Sequence, residues 1–92
     1  MSERRLRVVV VTPEHTLFDG GASAVVAPAY DGLVGILPRH APFLSLLGKG
    51  PLVVRATEGE RRFTVAGGFI QVVGDVVRVV AEQAEGAAPA AA

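Results

Sequence analysis

Arg62-Phe63-Thr64-Val65-Ala66-Gly67-Gly68-Phe69-Ile70-Gln71-Val72-Val73 is the stretch whose reading decides the fold class of this 92-residue chain. Before the glycine pair, Phe63 and Val65 alternate with Arg62 and Thr64, a period of two that marks a strand with one buried face. After it the phase inverts, since Ile70 and Val72 now carry the apolar face and Gln71 the polar one. A slip of one residue would turn the whole apolar set to solvent, so a turn or bulge must absorb a residue at Gly67-Gly68, where glycine permits the backbone it needs. Just upstream the same period holds, with Leu52, Val54 and Ala56 sharing a face from which Arg55 and Thr57 point away.

Working outward, nine short apolar runs are strand candidates: 6–11, 16–18, 24–27, 33–37, 43–47, 52–56, 62–66, 69–73 and 76–81. Between them lie turn formers such as Pro13-Glu14, Asp19-Gly20-Gly21, Tyr30-Asp31-Gly32, Pro38-Arg39-His40 and Gly74-Asp75. Sixteen valines reinforce the reading, because β-branched side chains are stiff at χ1 and pack well on a pleated surface. The expected fold is all-β: a small flattened sandwich or barrel of about eight to ten short, mostly antiparallel strands. It should occupy residues 1–84 as one domain, because the alternation stops after Ala81. An Ala-rich disordered tail is expected over 85–92, where Gly86 and Pro89 would break a helix. Val8 to Val11 and Val76 to Val80 are apolar on both faces, which predicts central strands or strands covered by another subunit.

Half the residues are apolar and the mean hydropathy is +0.43, so the chain has the means to fold. A domain this small buries only roughly 60 to 65% of its unfolded surface, which makes association with a partner a natural supplement. Nine basic residues balance nine acidic ones, which removes the electrostatic footprint of a nucleic-acid binder. The absence of cysteine excludes disulfides, thiol nucleophiles and Cys-ligated metals. No apolar span approaches the ~20 residues of a membrane helix, and Val8–Val11 is too short for a secretory apolar region, so the chain is expected to stay on the synthesis side of any membrane.

Chemistry-bearing residues are sparse. His15 and His40 stand without Asp or Glu at ligand spacing, and Ser2, Ser23 and Ser45 lie outside any nucleophile elbow. The glycines have no following helix to make a phosphate cradle. No catalytic residue, cofactor or metal is therefore expected. Lys49, the only lysine, lies in Gly48-Lys49-Gly50, where a biotinyl- or lipoyl-type all-β carrier domain would display its modified lysine; the plainer account is a solvated turn lysine. A ligand-binding barrel lined by Phe18, Tyr30, Phe43, Phe63 and Phe69 ranks below both, since aromatics in so small a domain serve packing. Arg4, Arg5 and Arg7 read as a solvated terminus and Arg61-Arg62 as a guard on a strand edge. The segment Asp31-Gly32-Leu33-Val34-Gly35-Ile36-Leu37-Pro38-Arg39-His40-Ala41-Pro42 reads as a rigid corner between two sheets and a good docking surface, its prolines fixing an extended path.

That segment, together with Val10-Val11-Thr12-Pro13-Glu14 followed by Leu17-Phe18-Asp19-Gly20, and with Gly67-Gly68-Phe69-Ile70-Gln71-Val72 leading into Val76-Val77-Arg78-Val79-Val80-Ala81-Glu82, resembles the N-terminal β-sandwich of F-type ATP synthase epsilon subunits over about Leu6 to Glu85. The resemblance implies a non-catalytic rotor component, bound to the gamma subunit at the foot of the central stalk and seated on the c-subunit ring. It further implies coupling of proton or sodium flow to ATP synthesis, on the cytoplasmic side of the cell (inner) membrane and without entering it. It implies that Thr12, His40, Ser45 and Ala66 face gamma and that the loop Asp31-Gly32-Leu33 meets the c ring. Relatives often carry an acidic residue at the position of Leu33, which leaves Asp31 as the acidic group available in that loop. The family usually continues into a two-helix C-terminal hairpin that can restrain ATP hydrolysis. The sequence ends at Ala92, so coupling without helix-mediated inhibition is the expectation.

Overall fold

The computed structural model describes residues 5–86. Arg4 and residues 87–92, and with them most of the expected tail, lie outside the described residues. Seven strands follow in chain order: β1 (Leu6–Val11), β2 (Thr16–Ala29), β3 (Gly32–Ile36), β4 (Phe43–Leu46), β5 (Gly50–Ala56), β6 (Gly59–Val73) and β7 (Val76–Gly86). Pairing runs β1-β7-β6-β5-β2 and closes on itself because β2 also pairs β1, so five strands form a ring. β3 extends it from β2, and β4 from β6. Every pair is antiparallel except β1 with β7. The body measures 38 × 34 × 23 Å, the flattened all-β sandwich that the alternation predicts.

The strand count is corrected from about eight to ten short strands to seven, of which β2, β6 and β7 have 14, 15 and 11 residues. Asp19-Gly20-Gly21 and Gly67-Gly68 are passed through rather than turned at, so β2 and β6 each unite two of the nine runs. On β6 the register with β7 continues across the glycines, from Ala66 opposite Gln83 to Gly68 opposite Ala81. The buried set shifts from Phe63 and Val65 to Ile70 and Val72 as foreseen, and β7 changes phase with it, from Val77, Val79 and Ala81 to the half-buried Ala84. The two strands thus bend as a pair and cross from one layer of the sandwich to the other, which is how strands make corners. Gly67 and Gly68 adopt φ of +74° and +102°, and a Cβ on Gly68 would overlap the Val80 carbonyl oxygen. β2 makes a matching corner through a bulge: its register with β5 shifts between Ala22 and Ala24, leaving Ser23 unpaired there, and burial moves from Ala22 to Val25 and Ala27.

The last strand continues past Ala81, where alternation ends, because its backbone stays paired: Glu85 lies opposite Thr64 and Gly86 opposite Phe63. The core between the layers is aliphatic, with Leu6, Val8, Val10, Val25, Val54, Ile70, Val72, Val77 and Val79 all at or below 1% exposure. No polar side chain is buried among the described residues. β1 and β7 prove central in the pairing order, while Val9, Val11 and Val80 on their outer sides are only half-buried. Arg61 does more than guard an edge, since its guanidinium stands 5.5 Å from the Phe18 ring centre and 5.8 Å from that of Phe63. Arg62 pairs with Glu60 at 2.7 Å.

Candidate docking surface

Across an antiparallel pair, directly opposed residues share a face. Following the registers from β4 through β6 and β7 to β1 therefore places Leu46, Phe69, Val80 and Val11 in one row on the outer side. The next row holds Leu44, Gln71, Arg78 and Val9, and the third Val73, Val76 and Arg7. The inner side of the same strands carries Phe43, Val72, Val77 and Val8, so this layer is apolar inside and carries apolar residues among Gln71, Arg78 and Arg7 outside. Leu44 and Leu46 are 69% and 63% exposed, Val73 55% and Phe69 38%. Leu44, Leu46, Phe69 and Gln71 line a shallow, mostly apolar groove. Contiguous exposed apolar surface of this kind marks an interaction site more often than a scattered leucine does.

At one end the apolar rows give way to a polar margin. Thr12, immediately after Val11, accepts a hydrogen bond at Oγ1 from the His15 amide (3.2 Å) and donates its own amide to the His15 carbonyl (2.8 Å), which holds the 12–15 turn. Thr12, Glu14 and His15 face Glu82, Gln83 and Glu85 across a cleft, and Ala66 lies in an adjoining one with Lys49, Thr64, Gln83 and Glu85. Thr12 and Ala66 are thus brought to the two sides of the final turn of β7. His40 and Ser45 sit elsewhere on the margin, on and just before β4. The His40 ring meets Phe43 edge-on at 5.7 Å, and Ser45, opposite Ile70, points away from Leu44 and Leu46 and bonds the Leu46 carbonyl at 3.0 Å. Thr12 and His40 thus lie at different places beside the apolar rows, Ser45 turns to the inner side with Ile70, and the four residues do not converge on a single point.

A second exposed feature is the β2–β3 hairpin tip. Tyr30 (78% exposed), Asp31 and Leu33 project there, and Gly32 supplies the φ of +135° that the turn requires. Among the described residues no three or more His, Asp or Glu come together in a way that could hold a metal ion. Lys49 stands exposed between β4 and β5. Arg7 grips Asp19 through two nitrogens at 3.1 and 3.2 Å, and that hydrogen bonding, with the carboxylate's charge, holds its guanidinium above the ordinary arginine value. The outward leucines of β4 escape sequence reasoning because only the β4–β6 register sets them beside Phe69.

Residues 5–87 match the family model described as ATP synthase, Delta/Epsilon chain, beta-sandwich domain. An ATP synthase epsilon chain of Leptospira borgpetersenii serovar Hardjo-bovis is 38% identical over 82 residues, covering 89% of this chain and 65% of that protein. One of Solibacter usitatus is 44% identical over 80 residues, covering 87% and 60%. The chain therefore spans about two-thirds or less of the length of these relatives. Among solved structures, the fold resembles a chain of the Euglena gracilis mitochondrial ATP synthase OSCP/F1/c-ring assembly, with a TM-score of 0.82 at 20% identity over 89% of this chain and 53% of that one. It also resembles a chain of the Tetrahymena thermophila mitochondrial ATP synthase central stalk and c ring, with a TM-score of 0.72 at 22% identity over 92% and 69%.

Proposed function

The chain belongs to the ATP synthase delta/epsilon β-sandwich family, and from that premise we propose that it is a central-stalk rotor subunit of an F-type ATP synthase, joining gamma to the c ring and coupling proton or sodium flow to ATP synthesis. The observation that supports this reading is the uncovered outer row Leu46–Phe69–Val80–Val11. Apolar surface left in water costs about 25 cal/mol per Å² relative to burial, so the row favours a permanent neighbour. Of the residues the resemblance assigns to gamma, Thr12, His40, Ser45 and Ala66, Thr12 directly follows Val11 at the end of that row. An apolar centre with a polar rim is the usual anatomy of an interface. Glu14, Glu82 and Glu85 on that rim call for basic groups on gamma.

The exposed hairpin tip of Asp31, Gly32 and Leu33 is the proposed contact with the c ring. Its role, like that of the whole domain, is mechanical and needs no catalytic group. A closed ring of five strands resists shear because deformation has to break backbone hydrogen bonds on every side. These 92 residues are proposed to act peripherally on the cytoplasmic side of the membrane, held through gamma and the ring. Among the described residues no helix is long and apolar enough to cross a membrane.

The test is binding of the purified chain to the gamma subunit of its own synthase, then to a detergent-solubilised gamma–c-ring complex. Saturable one-to-one binding that is weakened by Leu46→Asp, with the folding transition retained, is the expected result. Failure of the wild-type chain to bind gamma overturns the reading.

A further inference from the structure

We propose that Asp75 is a positioning residue, a carboxylate latch that holds the corner 37–42, and with it His40, in the shape that docks on gamma. The inference rests on the docking reading above and assigns a role to a residue outside the docking face. Gly74 and Asp75 form the two-residue turn between β6 and β7, with φ of +52° and +63°, the left-handed pair that such hairpins prefer. Glycine or asparagine would make the same turn, so the turn alone does not require a carboxylate.

The side chain reaches a different part of the chain. Asp75 Oδ1 accepts a hydrogen bond from the Arg39 amide at 2.6 Å, while the Asp75 carbonyl accepts one from the Arg7 amide at 2.9 Å. The hairpin end therefore ties together the start of β1 and the link between β3 and β4. Arg39 is itself left-handed, at φ +70°, a conformation that long side chains rarely adopt unless the surroundings impose it. Next to it, the His40 amide donates to the Leu37 carbonyl at 3.2 Å, and His40 Nδ1 lies 2.7 Å from the Ala41 carbonyl oxygen.

Leu37, Arg39, Ala41 and Pro42 are all exposed, so little apolar burial holds this corner. A charge-assisted hydrogen bond is then the restraint that sets its path. A corner held in one shape before binding loses less conformational entropy when it docks, which links Asp75 to affinity without contact.

Two variants separate the latch from the turn. Asp75→Asn keeps the left-handed backbone and an oxygen acceptor but removes the charge; Asp75→Gly keeps the backbone and removes the acceptor. Amide hydrogen exchange by NMR and gamma affinity are measured on both. For Asp75→Gly, exchange at Arg39 and His40 should rise and gamma affinity fall about tenfold, with the core strands unchanged, while Asp75→Asn stays within about threefold of wild type. In the wild type itself, the Arg39 amide proton should resonate far downfield, and in Asp75→Gly it should lose that shift. An unshifted Arg39 amide, or unchanged exchange in Asp75→Gly, overturns the latch. Faster corner exchange with unchanged affinity, or loosening of the core strands alongside the corner, overturns the positioning role. Loss of binding by the wild type points instead to failure of the docking reading on which the proposal rests.

Discussion

Gly68 and Gly35 are both strand glycines and should respond oppositely to a methyl group. At Gly68 a Cβ meets the Val80 backbone and the φ is +102°, whereas at Gly35 nothing lies within 4 Å. Gly68→Ala should lower stability by about 3 kcal/mol or more, and Gly35→Ala should leave it within about 0.5 kcal/mol; urea titration of both variants checks the contrast. The need for an irregularity at Gly67-Gly68 was legible in the sequence because large apolar residues stand on either side and their phase visibly inverts. The equivalent corner at Ser23 was not, since Ala22, Ser23 and Ala24 are too alike in size to show a phase. Asp31, exposed at the hairpin tip, carries a prediction of its own: Asp31→Asn should weaken association with the c ring at low ionic strength, and the difference should vanish at high salt. Equal affinities at every salt concentration would remove Asp31 from that contact.

On the scale of the strand, β4 is four residues long and pairs only β6, yet it supplies the two most exposed leucines of the apolar face. Because Leu44 and Leu46 are mostly in water, replacing both with Gln should change stability by less than about 0.5 kcal/mol. The same change should cost gamma binding about tenfold or more, since apolar anchors at the centre of an interface carry much of its energy. Calorimetric unfolding and titration of the same variant separate the two effects; a parallel loss of stability would mean that the leucines serve the fold. The apolar run did place a strand at 43–47, but a run cannot say which strand lies alongside. Glu82 and Glu85 were hidden for a related reason: the last turn of β7 has no apolar period, and only its pairing with Phe63, Thr64 and Val65 keeps it in the sheet.

For the molecule as a whole, closure of the ring depends on β1, which pairs β2 on one side and β7, some seventy residues away, on the other. Leu6, Val8 and Val10 are fully buried there, each contributing about 1.5–3 kcal/mol, a sum comparable to the roughly 5–15 kcal/mol by which whole domains are stable. A chain starting at Thr12 should therefore give the spectrum of an unfolded protein by circular dichroism. The β-sandwich of residues 1–92, added to a catalytic head lacking epsilon, should leave its ATP hydrolysis rate unchanged, and strong inhibition would show that the sandwich itself restrains the head. The all-β class, the aliphatic core and the family can be read from the residue order, because side-chain period and local motifs are written in neighbouring residues. The seven-strand count, the two corners, the outer apolar rows and the reach of Asp75 to Arg39 were decided only by the tertiary structure. Register between distant strands and a hydrogen bond across 36 residues arise from chain closure, and closure leaves no local pattern to read.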